Sequence, residues 1–135
     1  MRDLLKDLLK KHEGLRLNMY KDTVGKCTIG YGHNLDDKDI SLRAADVILE
    51  DDISDALAEC RAVFSWFVAL SDNRQAVVAS MVFNMGLARF KGFKRAIAHI
   101  EAGYYDDAAR EMLDSKWASQ VGRRAEELAQ IMREG

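Results

Sequence analysis

Residues 12 to 33 read HEGLRLNMYKDTVGKCTIGYGH. Before them, from Arg2 to His12, Leu4, Leu5, Leu8 and Leu9 recur at helical spacing between charges, which predicts an amphipathic helix with one buried stripe. Gly14 gives that helix a natural stop just after Glu13. The chain then changes character. Leu17, Tyr20, Val24, Thr28, Ile29 and Tyr31 are mixed with Gly25, Gly30 and Gly32, and Asp22-Thr23 with Val24-Gly25 supplies turn chemistry, so the stretch predicts two or three short antiparallel strands. Asp22 lies nine positions after Glu13 and Thr28 six beyond that, a spacing too irregular for one helix face but suited to a hairpin folding back over a helix end. Such a hairpin can bring the three side chains to one cleft. If Gly30 and Gly32 alternate along a strand with Ile29, Tyr31 and His33, both glycines fall on one face and leave it bare enough for a bulky ligand to approach. A tight bend would use the same residues.

Farther along, Asn34 to Asp39 reads as a polar loop and Ser41 as the cap of a second helix. In that helix Ala45, Ile48, Leu49, Ile53, Ala56, Leu57 and Cys60 form an apolar stripe, covered on its other sides by Asp46, Glu50, Asp51, Asp55 and Glu59. Val63 to Phe67 and the run from Ala76 to Met85 are apolar almost all round, which marks the centre of a core. Gly86, Gly92, Gly103 and Gly122 then punctuate a series of short helices in a chain that has no proline. The expected class is α+β and mostly helical, within one domain over 1–135. A small N-terminal antiparallel sheet lobe (about 14–40) is joined by a long bridging helix (about 41–60) to a helical lobe (about 61–135), which the N-terminal helix completes.

A chain of 135 residues with 48% hydrophobic content suffices for one core. No stretch approaches the roughly 18 to 20 uninterrupted apolar residues of a membrane span. The charge-interrupted leucines at the N-terminus do not form a secretory h-region, so we expect no signal peptide, folding in the cytoplasm and no stable membrane association. Cys27 and Cys60 are too few for a disulfide framework and form no C-x-x-C pair, so both are expected as free thiols. A formal charge of −2 argues against a nucleic-acid partner. The charge is uneven, with three basic against seven acidic residues over 41–85 and a slight basic excess on either side. A mildly basic face would help approach to an anionic surface, but ordinary solvated surface is the better explanation.

Glycoside hydrolysis needs a proton donor for the leaving oxygen and a second polar group to manage water or developing positive charge. Glu13 and Asp22 match those needs. A carboxyl at a helix end, shielded by Leu15, Tyr31 or Phe83, would have its charged form disfavoured and act as an acid, while Asp22 on an open hairpin would stay ionised. The plainer alternative leaves Glu13 on the surface and gives Asp22 the shaping of a turn. His12-Glu13 lacks the second histidine of a zinc-protease helix, so neither metal nor cofactor is expected.

Glu13-Gly14 followed by Tyr20, Asp22, Gly25 and the run Thr28-Ile29-Gly30-Tyr31-Gly32-His33 closely resembles the phage-type lysozymes of glycoside hydrolase family twenty-four. The resemblance implies a lysozyme-like fold. It makes Glu13 the general acid, with Asp22 supporting the attacking water and Thr28 helping to hold it on the opposite face of the sugar. Tyr31 and Gly32 would then border the substrate. Met81 to Gly86 resembles the family's cleft-facing helix, with Phe83 either a wall of the cleft or ordinary core and Asn84 a partner for an N-acetyl group. Ser115-Lys116-Trp117, Gln120 and Arg123-Arg124-Ala125 resemble a later motif in which Gln120 contacts substrate and Arg124 pairs with Glu13. On the same resemblance His33 pairs with Asp52 in a structural role. The loop between His33 and Ser41 is shorter than the family's usual one.

The implied activity is hydrolysis, with inversion, of the β-1,4 bond between N-acetylmuramic acid and N-acetylglucosamine in bacterial peptidoglycan. The implied agent is a monomeric endolysin that reaches the wall with the help of a holin. Two rivals stand beside it, a peptidoglycan-binding relative with weak or lost activity and a helical interaction or DNA-binding protein. The glycine-rich hairpin and acidic middle segment fit the last poorly.

Overall fold

Glycines and a few capping side chains set the element boundaries. In the computed structural model, which describes residues 1–135, α1 spans Arg2–Glu13 and stops at Gly14, whose N–H donates to the Lys10 carbonyl at 3.2 Å. Three strands come next, β1 (Arg16–Lys21), β2 (Cys27–Gly30) and β3 (His33–Asn34), and then the 22-residue helix α2 (Leu42–Val63). Ser41 caps α2 as expected, its Oγ accepting from the Ala44 N–H at 3.1 Å. The remainder is helical: a 3₁₀ turn at Phe67–Ala69, then α3 (Asp72–Met85), α4 (Leu87–Lys91), α5 (Lys94–Ala102), α6 (Tyr105–Leu113), α7 (Lys116–Val121) and α8 (Arg123–Glu134). The α+β class with a small three-stranded antiparallel sheet agrees with the sequence reading. No helix is long and apolar enough to cross a membrane. The chain divides into two compact units, Met1–Val47 and Ile48–Gly135.

In the first unit the strand order is β1-β2-β3, so β2 is central. Thr28 faces Tyr20 on one side and Asn34 on the other, and this double pairing explains why it is the buried polar residue of the chain. A register shift between Arg16 and Tyr20 marks a bulge in β1, a device that discourages further pairing at an edge strand.

Two expectations need correction here. Gly30, Tyr31 and Gly32 do not alternate along one strand. Ile29 pairs with His33; Gly30, the last residue of β2 and the partner of Arg16, begins the reversal that Tyr31 and Gly32 complete, with Gly30 at φ +70° and Gly32 at φ +76°. Left-handed backbone at two of three positions cannot continue a strand, so the bend is the reading that holds. The second concerns α1. It is helical, but none of its residues is buried, and Leu4, Leu5, Leu8 and Leu9 are 42–65% exposed. The small sheet of the same unit has no closed apolar face to receive them, because Leu17 and Met19 on β1 are themselves exposed.

The second unit holds the main core. Helix α3 runs through its middle with Val77, Val78, Met81 and Val82 buried, as the all-round apolar run from Ala76 predicts. Each such side chain stabilises the fold by about 1.5–3 kcal/mol through burial. Aromatic rings continue the packing in a series of contacts, Trp66 on Phe64 (4.8 Å between centroids), Phe64 edge-on to Phe90 (5.6 Å), Phe90 to Phe93 (6.2 Å) and Phe93 edge-on to Trp117 (6.2 Å). Arg74 ties α3 to the end of α8. Its Nε and Nη2 donate to the carbonyls of Met132 (2.8 Å) and Arg133 (3.0 Å), while its guanidinium lies 3.5 Å from the centroid of the Tyr105 ring. A cation there satisfies carbonyls that the helix end leaves open.

Candidate functional site

Glu13 is the last residue of α1, and its carboxyl group leans over the Tyr31-Gly32 reversal. A Cβ built on Gly32 would sit 2.9 Å from Glu13 Oε2, 3.2 Å from Cδ and 3.3 Å from Cγ. The glycine therefore serves two needs, a left-handed backbone and room for the Glu13 carboxyl, which a Cβ there would push aside. Glu13 is exposed, as are Leu15 and Tyr31, so these two residues do not supply the apolar shielding expected of them. Tyr31 instead stands at the tip of the reversal with the Lys10 ammonium 5.3 Å from its ring centroid.

Asp22 does shape a turn, with one of its two oxygens. Oδ1 accepts from the N–H groups of Val24 (3.0 Å) and Lys26 (2.9 Å), and Gly25 completes the loop at φ +83°. The other oxygen accepts no hydrogen bond from the chain. Two backbone donors on one oxygen hold the carboxylate plane, and so give the second oxygen a defined direction. Thr28 is 3% exposed, and its hydroxyl donates to the Lys26 carbonyl at 2.9 Å. The same carbonyl accepts from the Asp22 N–H at 2.9 Å. Asp22 and Thr28 are therefore locked together through the backbone of Lys26. With its proton committed, the Thr28 hydroxyl is left as an acceptor. Sequence reasoning missed Lys26 because its contribution is made by backbone atoms, which carry no residue signature.

His33 opens β3, and its Nε2 is buried without a hydrogen-bond partner. Asn34 organises the adjoining loop, its Oδ1 accepting from the N–H groups of Asp36 and Asp37 (3.0 and 3.1 Å). The Asp36 carboxylate in turn accepts from the Cys27 N–H at 2.8 Å, which pins the loop to the start of β2.

The remaining candidates belong to the second unit. Asp52 lies on α2, exposed, beside Asp55 and Glu59 in a shallow concavity. Phe83 is 49% exposed, which removes the ordinary-core reading, and it borders an apolar groove with Leu49, Ile53 and Leu57. Asn84 Oδ1 accepts from the Trp117 indole N–H at 2.9 Å, leaving its amide N–H groups free to donate. Gln120 Oε1 accepts from Arg89 Nη2 at 3.4 Å, and Arg124 Nη2 reaches Ser80 Oγ at the same distance. Trp117, Arg89 and Ser80 thus orient candidate residues. Trp117 had a signal, since it stands within the motif around Lys116, whereas Arg89 and Ser80 had none.

The small three-stranded antiparallel sheet and the eight helices make a lysozyme-like α+β fold. Residues 10–133 match the family model described as phage lysozyme, and the chain belongs to that family. Among curated proteins it is 29% identical to probable T4-type lysozyme 2 of Dictyostelium discoideum, over 97% of this chain and 94% of that protein. To probable T4-type lysozyme 1 of the same organism it is 30% identical, with the same coverage. It is 33% identical to the endolysin of Acyrthosiphon pisum secondary endosymbiont phage 1, over 82% of this chain and 75% of that protein.

Proposed function

We propose that this lysozyme-family chain hydrolyses the β-1,4 bond between N-acetylmuramic acid and N-acetylglucosamine in bacterial peptidoglycan. The observation that carries the reading is the position of the Glu13 carboxyl against Gly32, in the same unit as an Asp22–Thr28 pair joined through the Lys26 backbone. Glu13 donates its proton to the leaving glycosidic oxygen. The free Asp22 oxygen and the acceptor lone pairs of Thr28 each accept a hydrogen bond from one water molecule, which turns a lone pair of that water toward the anomeric carbon. As the new C–O bond forms and the glycosidic bond breaks, Asp22 takes one proton of the water while the leaving oxygen keeps the proton from Glu13. Direct attack inverts the anomeric centre, a scheme that goes with carboxyl groups roughly 6.5–9.5 Å apart.

On the family resemblance, Tyr31, Gly32, Phe83, Asn84 and Gln120 contact the sugar, Arg124 pairs with Glu13, and His33 pairs with Asp52. We further assign the chain a monomeric state and, for access to the wall from the cell interior, a pore-forming partner of the holin type. Glu13→Gln removes the transferable proton at constant shape. It should abolish clearing of peptidoglycan suspensions while leaving binding to the wall. Equal clearing by both forms refutes the acid assignment. NMR of the first-formed product from a defined oligosaccharide should show an inverted anomer, and retention rejects the water-attack scheme.

A further inference from the structure

A cavity of about 550 Å³ in the helical unit is bordered by four cations, Arg89, Lys94, Arg95 and Lys116. Glu111 and Asp114 border it too, so positive side chains outnumber negative ones two to one. None of the four is neutralised by an ion pair, since the two pairs in the chain are Arg110 with Asp107 and Lys26 with Asp37. The one side-chain hydrogen bond among the four is the long contact from Arg89 to Gln120. Lys94 and Arg95 open the nine-residue helix α5, and its cap position, Phe93, offers no side-chain acceptor to the first-turn N–H groups. Uncompensated cations gathered on one concavity repel one another, and a bound oxyanion relieves that repulsion. Guanidinium forks and helix-start N–H groups bind phosphate oxygens well. Four cations against two carboxylates leave the cavity a net of two positive charges, which two neighbouring phosphodiester groups of one negative charge each would match.

We infer that this cavity is a phosphate-binding site, which takes neighbouring phosphodiester groups of an anionic polymer associated with the cell wall. The setting of that polymer rests on the peptidoglycan reading above, whereas the anion chemistry rests on the cavity alone. Trp117 borders the cavity and donates to Asn84, and Arg89 donates to Gln120, so the cavity adjoins two residues assigned to sugar contact. Polymer held there would retain the enzyme beside the glycan strand.

The test is calorimetric titration of the folded chain with short poly(glycerol phosphate), compared with single-stranded DNA of equal charge and with phosphatidylglycerol vesicles. Lys94→Ala/Arg95→Ala and Lys116→Ala alter side chains at the cavity. Lys38→Ala/Arg43→Ala removes the same charge as the double variant from exposed positions elsewhere. Poly(glycerol phosphate) should bind the wild type and the Lys38/Arg43 variant alike. The cavity variants should bind it about tenfold more weakly for each cation removed. Hydrolysis of a polymer-free glycan should be unchanged in all of them. Equal affinity in cavity variants and wild type overturns the inference, as does equal weakening in the Lys38/Arg43 variant, which reduces the effect to net charge. Tighter binding of DNA or of vesicles at the same residues overturns the choice of ligand. Failure of every form to cleave glycan overturns the proposed hydrolase activity and leaves this titration to stand separately.

Discussion

Gly32→Ala and Gly30→Ala form a matched pair that isolates the contact between the reversal and Glu13. Both glycines have positive φ, +76° and +70°, so an alanine at either carries a similar backbone strain, about 1–2 kcal/mol. That corresponds to a fall in Tm of about 3–8 °C for a chain of this size. The surroundings differ. Nothing lies within 4 Å of a Cβ on Gly30, whereas a Cβ on Gly32 meets Glu13 Oε2 at 2.9 Å and Cδ at 3.2 Å. Ordinary contact needs about 3.5 Å or more, so the carboxyl must retreat by at least about half an ångström. As the far end of a flexible side chain it moves more easily than the backbone does. Misplacing a reacting group by about 1 Å costs up to about 100-fold in rate. Gly32→Ala should therefore clear peptidoglycan suspensions about 10- to 100-fold more slowly, while Gly30→Ala stays within a few-fold of wild type at a similar Tm. Equal activity losses in the two variants, once matched for folded fraction, would refute the argument that Gly32 is kept small for the acid.

Thr28→Val preserves shape but removes both the bond to the Lys26 carbonyl and the acceptor for water, so clearing should fall at least tenfold with a stability loss of about 1–2 kcal/mol in urea titration. Arg74→Met strips two carbonyl bonds from the end of α8 and the cation from the Tyr105 ring, and should lower unfolding free energy by about 2–4 kcal/mol while glycan cleavage per folded molecule is retained. Burial raises the Cys60 thiol from 9.0 to about 11, with Glu59 adding to the rise and Arg61 opposing it. The unfolded chain therefore releases this proton first. The contribution to stability is complete below pH 9 and is lost as pH climbs toward about 11, a loss that Cys60→Ala should remove from the pH profile of Tm. Thiol reagents at mildly alkaline pH should label Cys27, which is partly accessible, well before the fully buried Cys60.

Much of the fold was legible because the relevant signals are local. Gly14 ends α1, Ser41 caps α2, and Gly86, Gly92, Gly103 and Gly122 all stand at helix ends. Each of these marks a backbone conformation or a cap that only a few residue types supply. The all-round apolar run in α3 was equally readable, since a helix without a polar face has to be enclosed. Periodicity served less well for α1. It shows which face of a helix is apolar, but it does not say what covers that face, and Leu4 remains 65% exposed. Alternation misled at Gly30-Tyr31-Gly32 for a related reason. A pattern of period two is common to strands and to tight reversals, and only φ distinguishes them.

The site divides along a similar line. Residue type, spacing and the family resemblance together single out Glu13, Asp22 and Thr28 as candidates, yet at the level of sequence the turn-forming and catalytic readings of Asp22 stand as rivals. In the folded chain they need not compete, because a carboxylate has two oxygens. Oδ1 closes the turn through Val24 and Lys26, and the rigidity this imposes is what a water-positioning group requires of its other oxygen. The Lys26 backbone extends the same economy to Thr28, whose donor is spent on structure while its acceptors stay open. On the proposed mechanism, turn chemistry in this hairpin supports the site, and substitutions that loosen the Asp22 turn should reduce activity before they reduce stability. Thr23, exposed and without a side-chain hydrogen bond, offers the complementary position at which change should be tolerated.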